Sequence, residues 1–341
     1  MINAPTKPFR LVAGAFLLLL FGARAFPDNA TWNLNPTNDW SARINWAPNT
    51  VPDSRANAGT DSSGRVETIH IGFAALGIAF DGTNVWVPSA DSPEIIKLRA
   101  RDGRLLGNFP TASTTARAIF DGTYVWMSNY YSNGTVSRLR TSDGTMQGSF
   151  PVGDDPFGLV FDGANIWVAN HNSNTVTKLQ ASDGSLLGTY AVGADPSEAA
   201  FDGASIWITN AGDNTVTKLR ASDGTVEGTF QVGNLPFGIV FDGANIWVGN
   251  ENDKSLMKLR ASDGLLLGTR RLGSLPWDLA FDGKHLWVVN WADDTVMRLG
   301  GQTGAIRQIY PVGNEPQSIV FDGSSMWVTN GNDHTVSKIS R

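Results

Sequence analysis

The sequence predicts an all-β fold: a seven-bladed β-propeller with four-stranded blades, closed by an N-terminal strand that completes the last blade. Three observations carry this. Phe-Asp-Gly triplets begin at Phe80, Phe120, Phe161, Phe201, Phe241, Phe281 and Phe321, 40 or 41 residues apart. Each is followed by a tryptophan, at Trp86, Trp126, Trp167, Trp207, Trp247, Trp287 and Trp327. A fixed period of about 40 residues with strand-like content in each unit marks one propeller blade per repeat. The third observation is a displaced strand. The seventh unit, Pro316 to Ser340, stops short of a fourth strand, while Gly64 to Gly72 aligns with the fourth-strand phrase Gly224 to Gly233 with one position dropped. A ring closed in this way has no end blade to cap.

Taken in chain order, residues 1–25 read as a secretory signal peptide. Lys7 and Arg10 form a basic start, Leu11 to Gly22 an apolar core, and Ala23-Arg24-Ala25 a small-residue cleavage site. The apolar run of about 12 residues is shorter than the roughly 20 that a membrane span needs; an uncleaved anchor is the alternative. Residues 26–60 place Trp32, Trp40 and Trp46 among Asn, Thr and Pro, and read as an arm packed on the propeller or as a linker. Residues 61–341 form the propeller. Its third unit shows the blade plan: strand a at Gly158 to Phe161, a turn at Asp162-Gly163, strand b at Asn165 to Ala169, a polar loop at Asn170 to Asn174, strand c at Thr175 to Gln180, a turn at Ser182-Asp183-Gly184, and strand d at Ser185 to Val192. Glycine in each Asp-Gly turn supplies the positive φ of a tight hairpin.

Composition narrows the function classes. The chain has no cysteine, so disulfides, thiol chemistry and cysteine-zinc sites are excluded. Removing the leader would leave 23 basic against 32 acidic residues, a net charge near −9. That balance is a poor match for nucleic acid or anionic lipid. The expected location is secreted or periplasmic, and the expected state is a monomer without a membrane span.

Trp167-Val168-Ala169-Asn170, Asn174-Thr175-Val176 and the Val192-Gly193 to Pro196 phrase resemble the YVTN-type propeller repeat of bacterial and archaeal surface and periplasmic proteins. The related NHL and streptogramin-lyase-like propellers share that blade plan. The resemblance spans residues 65–341 and implies a secreted binding or surface propeller, in a class tied to no single activity. In the lyase-like branch the strand-b phrase usually ends in a glutamate. Here it ends in Asn129, Asn170, Asn210, Asn250, Asn290 and Asn330, with Ser89 in the first blade.

Features common to every blade are expected to be structural, and the Phe-Asp-Gly and Trp columns fall there. So does the basic column Lys97, Arg138, Lys178, Lys218, Lys258, Arg298 and Lys338, read as a solvated ring or as partners of the repeated aspartates. Function is sought where blades differ. Three residues before the end of strand a, Gly77, Gly158 and Gly238 give way to Arg117, Glu198, Asp278 and Ser318. Charge at the channel mouth costs desolvation unless a partner or ligand offsets it. Glu198 and Asp278 are candidate oxygen ligands for a divalent cation, Ca or Mg; alternatively Arg117 neutralises them or water fills the channel. No cofactor is required by any motif.

The d-to-a and b-to-c connections share one face of a propeller. Tyr130, Tyr131, His171, Glu251, Trp291 and His334 vary there, beside Phe157 and Trp277. Aromatics interleaved with Asn, Asp and Glu suit a small-molecule, glycan or protein ligand; ordinary loop decoration is the alternative. Arg117, Tyr130, Tyr131, Phe157, Trp277, Trp291 and Glu251 are thus the candidate ligand-binding residues. The leading expectation is a ligand-binding or surface-interaction module with no evident catalytic constellation. The alternative is a metal-dependent lyase or lactone hydrolase of the streptogramin-lyase or gluconolactonase type, with His171 or His334 as base.

Overall fold

Asp-Gly punctuation between short apolar runs folds each repeat into a meander of four antiparallel strands. A computed structural model describes residues 64–129 and 134–340. The stretch expected to be a signal peptide (1–25), the one expected to be an arm or linker (26–60), and Tyr130 and Tyr131 lie outside the described residues. Within them, 28 strands form seven four-stranded sheets, with inner strands beginning at Ala79, Thr115, Pro156, Pro196, Pro236, Pro276 and Pro316 in blades 1 to 7. Six sheets are contiguous in sequence. The seventh joins strand d Val66–His70 to strand c Thr335–Ser340, with Val66 opposite Ile339 and His70 opposite Thr335. No helix of the described residues is long and apolar enough to cross a membrane.

Blade 3 runs Pro156–Phe161, Asn165–Asn170, Thr175–Gln180 and Leu186–Ala191. Its inner strand starts two residues earlier than the sequence suggests, at a proline, where a missing N–H is tolerated. The pairing skips from Pro156 opposite Asn170 to Leu159 opposite Val168, and blades 2 to 7 all break register at this point. Such bulges re-aim the side chains they carry. These two bulged positions hold the residues that differ between blades.

The repeated motif has a physical account. In blade 3, Asp162 Oδ1 accepts the backbone N–H groups of Ala164 (2.9 Å) and Asn165 (2.7 Å), closing the turn, and Oδ2 accepts the Trp167 indole N–H at 2.8 Å. The same aspartate-to-indole bond recurs in all seven blades at 2.7–2.8 Å. All seven tryptophans are fully buried. Five are covered by an aromatic from strand d, as Trp207 is by Phe230 at a 5.5 Å ring separation.

The basic column is neither solvated nor chiefly paired with aspartates. Arg138, Lys178, Lys218, Lys258 and Lys338 are buried. Lys178 lies 4.9 Å from the centre of the Trp167 ring and donates to the carbonyls of Ala221 (2.7 Å) and Ser222 (3.2 Å) in the c-to-d turn of the next blade. Lys338 does the same across the closure of the ring, to Ala100 and Arg101 at 2.8 and 2.9 Å. Indole faces and carbonyl dipoles surround each of these ammonium groups in place of water. Six members of the column tie their blade to the next in this way.

Candidate functional site

The bulge in blades 2 to 7, and in blade 1 the segment just before Ala79, place two neighbouring sets of residues at the channel. The first, nearer the d-to-a face, is Leu76, Ala116, Phe157, Ser197, Phe237, Trp277 and Gln317. The second, one residue further on, is Gly77, Arg117, Gly158, Glu198, Gly238, Asp278 and Ser318. In the second ring small and large residues alternate because neighbouring inner strands nearly touch. A Cβ on Gly77 would lie 2.7 Å from Arg117 Cα, and one on Gly158 2.7 Å from Glu198 Cα. Seven is odd, so the alternation fails once, at Ser318 beside Gly77. Within the channel lies a cavity of about 280 Å³, lined by Ser318 and by residues of the inner strands on either side of it.

The second ring is a linked charge system. Arg117, 5% exposed, donates from Nε to Glu198 Oε1 at 2.5 Å and from Nη1 to the Leu76 carbonyl, and its guanidinium lies 4.5 Å from the centre of Phe157. Asp278 Oδ2 accepts from Ser318 Oγ (2.8 Å) and the Ile319 N–H (3.0 Å), and Oδ1 from the Leu279 N–H (2.8 Å). Burial pushes the Glu198 carboxyl up to about 7 against the pull of Arg117, and Asp278 adds to the rise. Burial likewise raises Asp278. Arg117 thus takes up Glu198, the arrangement that competes with a cation held by Glu198 and Asp278. Among the described residues no group of three or more His, Asp or Glu side chains is arranged to hold a metal.

A further signal for this ring lies in strand b, where the sequence alone gave it no meaning. The bulge frees the N–H of its second residue, and a strand-b hydroxyl takes it: Ser128 for Arg117 (3.0 Å), Thr209 for Glu198 (2.9 Å) and Thr329 for Ser318 (3.1 Å). Blades with glycine at this position carry Pro88, Ala169 or Gly249 on strand b.

The first ring closes the channel with aromatic rings. Phe157 meets Phe237 edge-on at 5.5 Å, Phe237 stacks on Trp277 at 4.0 Å, and Trp277 lies 6.2 Å from Trp291 in the b-to-c loop. Phe237 belongs to this cluster and was missed because it repeats Phe157 and looks like part of the motif. The cluster separates the charges from the d-to-a/b-to-c face, so Arg117, Glu198 and Asp278 lie inside the channel rather than at that mouth. Trp277 is 5% exposed, buried rather than displayed. Glu251 is also buried, at 4%, and burial pushes its carboxyl up to about 7. His171 is half-buried with Nδ1 3.3 Å from the Pro196 carbonyl, and His334 is exposed at a left-handed loop position. Neither histidine has a hydrogen bond or ion pair with Glu198 or Asp278.

The Asn column, which stands where the lyase-like branch carries glutamate, is internal bracing. Asn170 donates to Thr175 and Thr177 at 3.0 and 2.9 Å and accepts from the Gly153 N–H at 3.0 Å.

Together these features define a seven-bladed propeller with an aromatic plug above a buried charge ring. No protein-family model matches the chain, and no curated protein matches it in sequence. Solved structures do match in fold. Virginiamycin B lyase from Staphylococcus aureus superposes with a TM-score of 0.70 at 20% identity, over 82% of this chain and 99% of that one. A streptogramin B lyase gives 0.71 at 18%, over 82% and 98%. The hydrazine synthase of Kuenenia stuttgartiensis gives 0.70 at 17%, over 79% and 96%. The chain has the propeller fold of the streptogramin B lyases. A synthase shares it, so the fold by itself leaves the chemistry open.

Proposed function

We propose that the chain is a secreted or periplasmic ligand-binding propeller, recognising a small neutral ligand rich in oxygen acceptors on the d-to-a/b-to-c face. One observation supports this reading most. The indole nitrogens of Trp277 and Trp291 and the amide nitrogen of Gln317 are buried there without a hydrogen-bond partner among the described residues. Buried donors left unmade cost stability unless water or a ligand satisfies them. Aromatic surface beside free donors suits sugars and peptide-like carbonyls. Thermal shift and calorimetry with a panel of oligosaccharides and dipeptides test it. Binding that Trp291→Ala weakens at least tenfold supports the reading, and binding indifferent to that change overturns it. The lyase alternative rests on fold likeness and on no side-chain group; opening of a streptogramin B by the wild-type protein would favour it instead.

A further inference from the structure

The channel below the plug is a different environment from that face. Its cavity of about 280 Å³ is walled by Ile78, Ile119, Leu159, Ile319 and Val320 and carries Arg117, Glu198, Asp278 and Ser318. Ile119, Leu159, Ile319 and Val320 lie in the second half of the inner strands, so the cavity runs from the charged ring toward the a-to-b turns, away from the plug. Two carboxyl groups stand against one guanidinium. The Asp278 oxygens are occupied by Ser318, Ile319 and Leu279. Glu198 uses Oε1 for Arg117, and among the described residues no hydrogen bond is made to Oε2. Arg117 Nη2, in a side chain 5% exposed, is a buried donor without a partner among the described residues. An acceptor and a buried donor, neither with a partner among the described residues, therefore flank one 2.5 Å ion pair beside aliphatic walls.

We infer that this cavity is a second binding site, for a small organic cation carrying an ammonium group, a neighbouring oxygen and a short apolar stem. The ammonium pairs with Glu198 Oε2 and restores charge balance, the oxygen accepts from Arg117 Nη2, and the stem lies along Ile119 and Ile319. A hard divalent cation asks for six or more oxygens, and the cavity offers one free carboxylate oxygen. The occupant competes with a proton for Glu198, since burial holds that carboxyl near 7. Binding therefore releases a proton at neutral pH and tightens as the pH rises toward 7, by up to about tenfold per pH unit.

Leucinol is the probe, because its amine and hydroxyl sit two carbons apart on an isobutyl stem. Calorimetry in buffers of different ionisation enthalpy is expected to show leucinol binding with proton release. Ethanolamine, without the stem, and 4-methyl-1-pentanol, without the ammonium, each bind at least tenfold more weakly. Glu198→Gln lowers leucinol affinity at least tenfold, and Trp291→Ala leaves it unchanged, which separates this site from the aromatic face. If Glu198→Gln does not fold, Ile119→Trp, which fills the cavity from a part-exposed position, is expected to abolish binding. The inference is overturned by absence of leucinol binding, by affinity independent of both Glu198→Gln and pH, or by calcium or magnesium binding where leucinol does not.

Discussion

The outer part of each blade and the inner rings of the channel obey different rules. Outside, one set of contacts is repeated seven times: an aspartate closes its turn and holds an indole, and most indoles lie under a cation that reaches the next blade's carbonyls. These contacts stay within two adjacent blades. At the channel no two neighbouring blades are alike. Arg117 of blade 2 meets Glu198 of blade 4 across Gly158, and Asp278 of blade 6 is held by blade 7. Repetition confines a break in the outer network to one blade and its neighbour. The inner ring exists once, so a single change there alters the whole site.

Opening the ring is the severest way to break this comparison. Deleting residues 64–72 removes the outer strand of blade 7 and bares the edge at Thr335–Ser340. Aggregation or loss of a single cooperative transition is expected, checked by light scattering and urea titration. Unchanged cooperativity would show that closure does not depend on Val66–His70.

Breaking one outer unit is next. Trp207→Ala removes a fully buried ring, its bond to Asp202 at 2.8 Å and its stack on Phe230. A loss of about 3–5 kcal/mol is expected from urea unfolding. A loss below about 1 kcal/mol would mean that the repeat tolerates a cavity.

A pH scan sharpens the contrast at the face. Glu251 has its carboxyl raised from 4.5 to about 7 by burial. Between those values the folded state binds its proton more tightly than the unfolded state, so this contribution to stability is full at low pH and is lost as pH rises through 7. The loss amounts to about 3 kcal/mol at most. Glu251→Gln is expected to flatten that part of the stability profile while the Glu198 part remains. A profile identical to wild type would place the Glu251 carboxyl in contact with water.

The smallest expected effect lies in the basic column. Lys178→Met keeps the apolar stem over Trp167 and leaves the carbonyls of Ala221 and Ser222 without their cation. A cost of about 1–2 kcal/mol is expected, with no change in any ligand affinity. A change in ligand affinity would mean that the two regions are coupled.

Much of the fold could be read from residues, because a 40-residue period is local information. The Asp-Gly turns, the four-strand plan and the buried tryptophans all follow from chemistry within one repeat. The basic column was misjudged because its partners are carbonyls of the next blade, which leave no mark in side-chain sequence. Phe157, Trp277 and Trp291 were picked out by their departure from the repeat. The burial of Trp277, and the membership of Phe237, depended on ring-to-ring packing.

By itself the sequence determined the number of blades and the residues that depart from their siblings, since both follow from comparing repeats along one chain. Only the tertiary structure decided what those departures do. Arg117 and Glu198 are 81 residues apart and meet because the bulge turns both inward and Gly158 lets them pass. An odd ring cannot alternate small and large residues without a fault. The cavity is lined from six of the seven blades, Ser318 among them, so it is set by closure of the ring rather than by any single repeat.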